Sequence, residues 1–162
     1  MTSRSFSIRP AVPSDKPALG VMAAGLVRLH HAFDPERFLL IEPIEEGYGK
    51  WLARQTSNEE AVVLVAERDG RVVGYTYATL EERDWNDLRE ACGKLHDVWV
   101  EADARRSGVA HALVEATCAA LKKLGAPRVV LMTAAKNEGA QALFAREGFR
   151  PTMIEMTREL GA

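Results

Sequence analysis

The sequence predicts a mixed α/β domain: a mostly antiparallel central sheet flanked by helices on both faces, in the order β-α-α-β-β-β-α-β-α-β. Three observations point there. Residues 61–67 and 72–80 are apolar, strand-like runs joined by Arg68-Asp69-Gly70-Arg71, the Asp-Gly signal of a tight hairpin. Two further short apolar runs, 95–100 and 128–134, are separated by a helical pattern over 110–124, which favours parallel pairing between them. At 162 residues and 47% hydrophobic, the chain suits one domain spanning 1–162 with a core of real size.

The elements follow in order. Phe6-Ser7-Ile8-Arg9 alternates as a first strand, ended by Pro10 and Pro13. Ser14 suits an N-cap, and Leu19, Met22, Leu26 and Leu29 stripe one face of a first helix. Residues 31–42 are irregular, and Ile44, Tyr48, Trp51 and Leu52 mark a second, shorter helix. Gly74 within the 72–80 strand signals a bulge or a close backbone approach. Residues 81–92 are a polar connection, helix or loop, in which Glu81, Glu82, Asp84, Asp87 and Glu90 outnumber Arg83 and Arg89. Such a rim attracts a cationic amine or is an ordinary solvated face. Leu113, Val114, Thr117, Leu121 and Leu124 form the apolar face of the next helix, closed by Lys122, Lys123, Gly125 and Pro127. Asn137 caps a last helix carrying Ala140, Leu143 and Phe144; Gly148 stops it, and residues 153–160 read as a closing strand.

Composition narrows the function. A net charge of -2 gives no basic footprint for nucleic acid. No apolar stretch is long enough to span a membrane, and residues 1–6 hold no apolar signal core, so a cytoplasmic protein is expected. Cys92 and Cys118 lack metal-ligand spacing and read as two free thiols; no metal is expected.

The stretch with chemistry in it runs from strand 95–100 through Arg105-Arg106-Ser107-Gly108-Val109-Ala110 into the helix. The first N–H groups of a helix lack internal partners, and the helix dipole makes that end partly positive. Gly108 allows close approach to a ligand, Ala110 keeps the next turn slim, and Arg105 and Arg106 add formal charge. A pyrophosphate fits such a turn; a solvated helix start with surface arginines is the alternative.

Arg105-x-x-Gly108-x-Ala110 resembles the Arg/Gln-x-x-Gly-x-Gly/Ala signature of the GNAT superfamily of acyl-CoA-dependent N-acetyltransferases. Asn137 through Leu143-Phe144-Ala145-Arg146-Glu147-Gly148-Phe149 resembles that family's second block, and the likeness spans residues 94–159. The resemblance implies a GNAT-like fold and acetyl-CoA as co-substrate, with an acetyl group moved to a primary amine of a small molecule or peptide. A protein N-terminus or lysine as acceptor, or a non-catalytic acyl-CoA sensor, are the alternatives. It implies cofactor contacts from Val98, Trp99, Val100, Arg105, Arg106, Ser107, Gly108, Val109, Ala110, Asn137 and Phe144, with Val98 and Val100 serving through their backbone. It suggests a homodimer, and an acceptor wall from His30 to Phe38, where helix-end packing is the ordinary reading.

The same resemblance places His96 where family members carry a general base, four residues before the strand-ending Val100. Strand alternation puts Lys94, His96, Val98 and Val100 on one face and Leu95, Asp97 and Trp99 on the other. An imidazole, with its ordinary pKa near 6.5, suits proton abstraction at neutral pH; a structural core histidine is the alternative. Asp97 ranks second, as an orienting or structural carboxylate. Phe144 departs from the family: it stands where a tyrosine usually protonates the leaving thiolate, and a phenyl ring has no proton to give.

Overall fold

The computed structural model describes residues 5–161, so the reading of the chain's first four residues as free of a signal core lies outside it. Strands β1 (Ser7–Pro10), β2 (Ala61–Arg68), β3 (Arg71–Glu81), β4 (Cys92–Val100) and β5 (Val129–Leu131) lie side by side in chain order. Neighbours are antiparallel except β4 and β5, which a helix connects and which pair in parallel. Helices are α1 (Lys16–Phe33), α2 (Glu45–Gln55), α3 (Val109–Lys123) and α4 (Glu138–Arg146). The mixed, mostly antiparallel architecture read from the sequence is the one observed.

Alternation along the strands divides the core in two. On one face α1 and α2 bury Leu19, Met22 and Leu52 against Val63, Val65, Tyr75 and Tyr77. On the other, α3 and α4 bury Leu113, Leu121 and Phe144 against Val62, Leu64, Val73 and Leu95. Each fully buried aliphatic side chain contributes about 1.5–3 kcal/mol relative to exposure. The second core also holds two fully buried threonines. Thr117 donates to Leu113 O at 2.7 Å, so Thr76 donates to the Thr117 hydroxyl at 2.7 Å and neither is left unpaired.

The turn chemistry is as the residues dictate. Asp69 (φ 53°) and Gly70 (φ 74°) are both left-handed, as a tight hairpin with the sheet's twist requires. Gly74 faces the β2 register shift, and a Cβ there would lie 2.8 Å from Trp99 O, so both readings of this glycine hold. Where α1 crosses α2, Gly20 and Gly49 put backbone against backbone. A Cβ on Gly20 would sit 2.2 Å from Glu45 O, and one on Gly49 3.0 Å from Gly20 Cα.

Two expectations change. No strand forms over residues 153–160. Among the described residues no main-chain hydrogen bond ties this tail to the sheet; Arg37 pairs with Glu155, and Met153, Ile154, Met156 and Leu160 are 78–90% exposed. Apolar residues alone do not make a strand without an edge to ladder against. The 128–134 strand shrinks to Val129–Leu131. Of the two readings of the polar connection, the loop holds: residues 82–91 join β3 to β4, closed by an Asp84–Arg89 bridge.

Candidate active site

β4 pairs with β3 along its whole length, but with β5 only from Gly93 to Leu95. Beyond Leu95 the two parallel strands part. Glu101 N donates to Val73 O, and antiparallel bonds alternate, so Trp99 and Asp97 turn their main-chain groups to β3 while Val98 and Val100 turn theirs to the open side. Val100 O is already taken by Arg105 Nε at 2.9 Å.

The strand also carries a bulge. Tyr77 stands opposite Asp97 and Ala78 opposite Leu95, which leaves His96 as the extra residue. The bulge overturns the simple alternation: His96 and Asp97 do not face opposite ways but line one cavity of about 540 Å³. Leu95, Val98 and Val100 belong to the α3 side, and Trp99 to the α1 side.

At the cavity His96 lies flat on Tyr77, with ring centroids 5.0 Å apart and planes at 22°. Its Nε2 is 2.8 Å from Thr79 Oγ1, whose hydroxyl donates to Glu81 Oε1 at 2.6 Å. A hydroxyl has one proton, so towards His96 it accepts. The network therefore assigns the proton to Nε2 and leaves the Nδ1 lone pair bare. Burial pushes the imidazole below its ordinary pKa, and Lys94 adds to that; Glu81, 3.5 Å from Nε2, opposes both. The ring is thus neutral, hence basic, at pH 7.

Asp97 is 5% exposed, and its Oδ2 accepts from Tyr48 Oη and Tyr75 Oη, both at 2.9 Å. Burial raises the carboxyl's pKa, and the two tyrosine bonds hold it back. α2 supplies Tyr48 and Trp51 as one wall, fixed by the Gly20–Gly49 crossing; Asn58 and Glu60 close the mouth. Tyr77 completes the floor, its phenol raised by burial to about 12.

The turn after β4 has a different character. Arg106 (φ 56°) and Gly108 (φ 86°) are left-handed, and α3 begins without a side-chain cap. Its first main-chain bond is Ala112 N to Gly108 O, so among the described residues the N–H groups from Arg106 to His111 have no protein acceptor. A Cβ on Gly108 would meet nothing within 4 Å; the glycine is needed for its φ, and the space above it is open. These free donors fit a pyrophosphate. Arg106 is exposed, whereas Arg105 lies over Trp99 at 5.2 Å and is tied to Val100 O. Ser107 turns its hydroxyl inward to Ala104 O; Val109 is buried and Ala110 half-buried at the start of α3.

The remaining sequence-read residues lie apart. The Asn137 Oδ1 accepts from Ala140 N and caps α4. Phe144 is 9% exposed and packs edge-on against Phe149 at 5.8 Å, inside the α3-side core. Trp99 presses against Gly25 of α1, and its buried Nε1 has no partner among the described residues. None of the residues from His30 to Phe38 lines the cavity: His30 bonds Leu26 O, and His31 bonds Phe38 O. Sequence reasoning missed Tyr48, Trp51, Tyr77, Thr79 and Glu60 as site residues. The one available signal was the alternation of Thr79 with Tyr77 and Glu81 along β3.

Comparisons with known proteins bear on the family and the fold. The sequence model of the Acetyltransferase (GNAT) family matches residues 26–149. An uncharacterized N-acetyltransferase of Methanocaldococcus jannaschii is 29% identical over 104 residues, which is 63% of this chain; the match spans 43% of that protein's length. A mutant of the BH1408 protein from Bacillus halodurans superposes with a TM-score of 0.82 at 18% identity, covering 95% of this chain and 99% of the other. A GCN5-related N-acetyltransferase from Ralstonia eutropha does so at 0.73 and 19%, covering 97% and 100%. Glucosamine-6-phosphate N-acetyltransferase from Arabidopsis thaliana does so at 0.65 and 19%, covering 97% and 99%. At these identities the three structures speak to the fold.

Proposed function

Since the chain belongs to the GNAT acetyltransferase family, we propose that it transfers the acetyl group of acetyl-CoA to a primary amine of a small molecule or peptide, in the cytoplasm. One observation carries the reading: a neutral imidazole with a bare Nδ1, held by Thr79 and Glu81, beside the point where β4 and β5 part. The thioester enters that gap, with the free main-chain groups of Val98 along its arm and the pyrophosphate on the donors from Arg106 to His111. His96 Nδ1 takes a proton from the acceptor's ammonium. The neutral amine adds to the thioester carbon, the C–S bond breaks, and the second proton shed by the nitrogen reaches the departing thiolate through water, since Phe144 has none to give; His96 returns its own proton to solvent. Arg105 acts from behind, stiffening the end of β4 through Val100 O.

The lack of a proton donor at Phe144 favours a second reading, an acyl-CoA sensor without turnover. Thiol release from acetyl-CoA across a panel of amines, with mass analysis of the product, separates the two. Acetylated product supports the enzyme; tight CoA binding with no product from any amine, peptide N-termini and lysines included, supports the sensor. A homodimer is part of the same proposal. The exposed apolar tail around Met153, Ile154 and Met156 supports it, and sedimentation of the full chain against a variant cut after Pro151 tests it.

A further inference from the structure

The cavity beside His96 is one-sided in charge. Glu60, Glu81 and Asp97 line it, and no lysine or arginine does. Asp97 is the telling member. Its Oδ2 alone serves both tyrosine hydroxyls, while Oδ1 has no hydrogen-bond partner among the described residues, although the residue is 5% exposed. With both tyrosine donors spent on Oδ2, Oδ1 has no donor of its own and is open to a cation in the cavity. At the mouth, the Glu60 carboxylate has no partner among the described residues, and Glu81 engages one oxygen only, with Thr79 and His96. Tyr48, Trp51 and Tyr77 line the same cavity, with ring centroids of Trp51 4.8 Å from Tyr77 and 5.6 Å from Tyr48. Aromatic faces of this kind accept an alkyl chain and a cation alike.

Resting on the acetyl-transfer reading, we propose that the acceptor is a dication, an alkyl diamine or polyamine. Its reacting nitrogen lies between Asp97 Oδ1 and His96 Nδ1, and its distal ammonium lies at Glu60 and the free oxygen of Glu81. The distal charge is never consumed, so it holds the substrate while the near ammonium gives up its proton. An acceptor ending in a carboxylate or phosphate finds no cation in the lining, Lys94 acting on His96 from outside it, and meets two like charges at the entrance.

Three amines of similar length and different far ends test this: butylamine, putrescine and γ-aminobutyrate. Thiol release measures transfer, and calorimetry on the CoA-saturated protein measures binding independently of turnover. Putrescine should exceed butylamine in kcat/KM by roughly 100-fold, and γ-aminobutyrate should neither bind nor react. Glu60→Gln, at an exposed position, should narrow the putrescine advantage about tenfold. Asp97→Asn should weaken putrescine binding while CoA binding holds. Butylamine matching putrescine in both assays, or γ-aminobutyrate being preferred, overturns the dication and leaves acetyl transfer standing. Putrescine bound through Glu60 but never acetylated upholds the dication pocket and overturns acetyl transfer. Failure of all three to bind overturns the dication pocket.

Discussion

The turn after β4 and the bulge within β4 belong to one stretch of chain, yet they are built in opposite ways. The turn offers main-chain donors set by two left-handed residues, and nothing outside that segment is needed to aim them. The bulge offers side chains, and these gain meaning only from β3, α2 and the residue 58–60 link that meet them. A backbone site is generic and is damaged mainly by local changes. A side-chain site is selective and is open to damage from residues that never touch a ligand.

The largest effect should fall on the turn. Gly108→Glu forces a non-glycine residue to φ 86° and sets a carboxylate among the anion donors. CoA affinity by calorimetry should drop roughly 1,000-fold. The melting temperature should fall by only a few degrees, from the strain at φ 86°, because nothing lies within 4 Å of the new Cβ. Undiminished affinity would remove the pyrophosphate from this turn.

Next in size is His96→Ala. It should lower turnover roughly 100-fold with CoA affinity nearly intact, in line with the usual worth of a general base. Equal losses in turnover and CoA affinity would erase the contrast between the two regions.

A remote change sharpens the contrast further. A methyl group on Gly49 meets Lys16 O at 2.7 Å and must push α2 off α1, carrying Tyr48 and Trp51 with it. Gly49→Ala should raise the amine KM about tenfold, leave CoA affinity alone and cost about 1–3 kcal/mol of stability in urea titration. Gly47→Ala, on the same helix with open space around it, should change none of these.

The smallest expected effect is in the pH profile. The base works when neutral, and its folded pKa lies below the ordinary 6.5 because burial and Lys94 outweigh Glu81. kcat/KM should therefore climb with pH on a limb below 6.5 and be level at neutrality. Glu81→Gln removes the one group that favours the imidazolium, so the limb should move to more acid pH. A limb above 6.5 would assign the proton transfer to another group.

How much of this was legible in the sequence follows the same division. The hairpin at Asp69-Gly70, the glycine turn at Gly108 and the Asn137 cap are local, so the residues announce them. The face of Asp97 was not legible: alternation is a rule for unbroken strands, and the bulge at His96 arises from pairing with β3. Tyr48 and Trp51 read only as the apolar stripe of a short helix, since what they face is set by the crossing at Gly20 and Gly49. The tail over 153–160 failed for the converse reason; its composition suits a strand, but a strand exists only where an edge accepts it. Register with the family's tyrosine sets Phe144 among the cofactor contacts, and the structure adds its place in the core beside Phe149.

Backbone lies against backbone where Gly20 of α1 meets Gly49 of α2, so no layer of side chains is left there to slide or re-pack. The two helices move as one plate, and α1 is the half of that plate that covers Tyr75 and Trp99. The cavity wall is in this sense a gauge rather than a cushion. An amine that fits within it is taken without rearrangement. One that is a methylene or two too long cannot be admitted by small adjustments at the seam, because the seam has none to make. Homologous amines offered in order of length should therefore show a flat response that ends in a step.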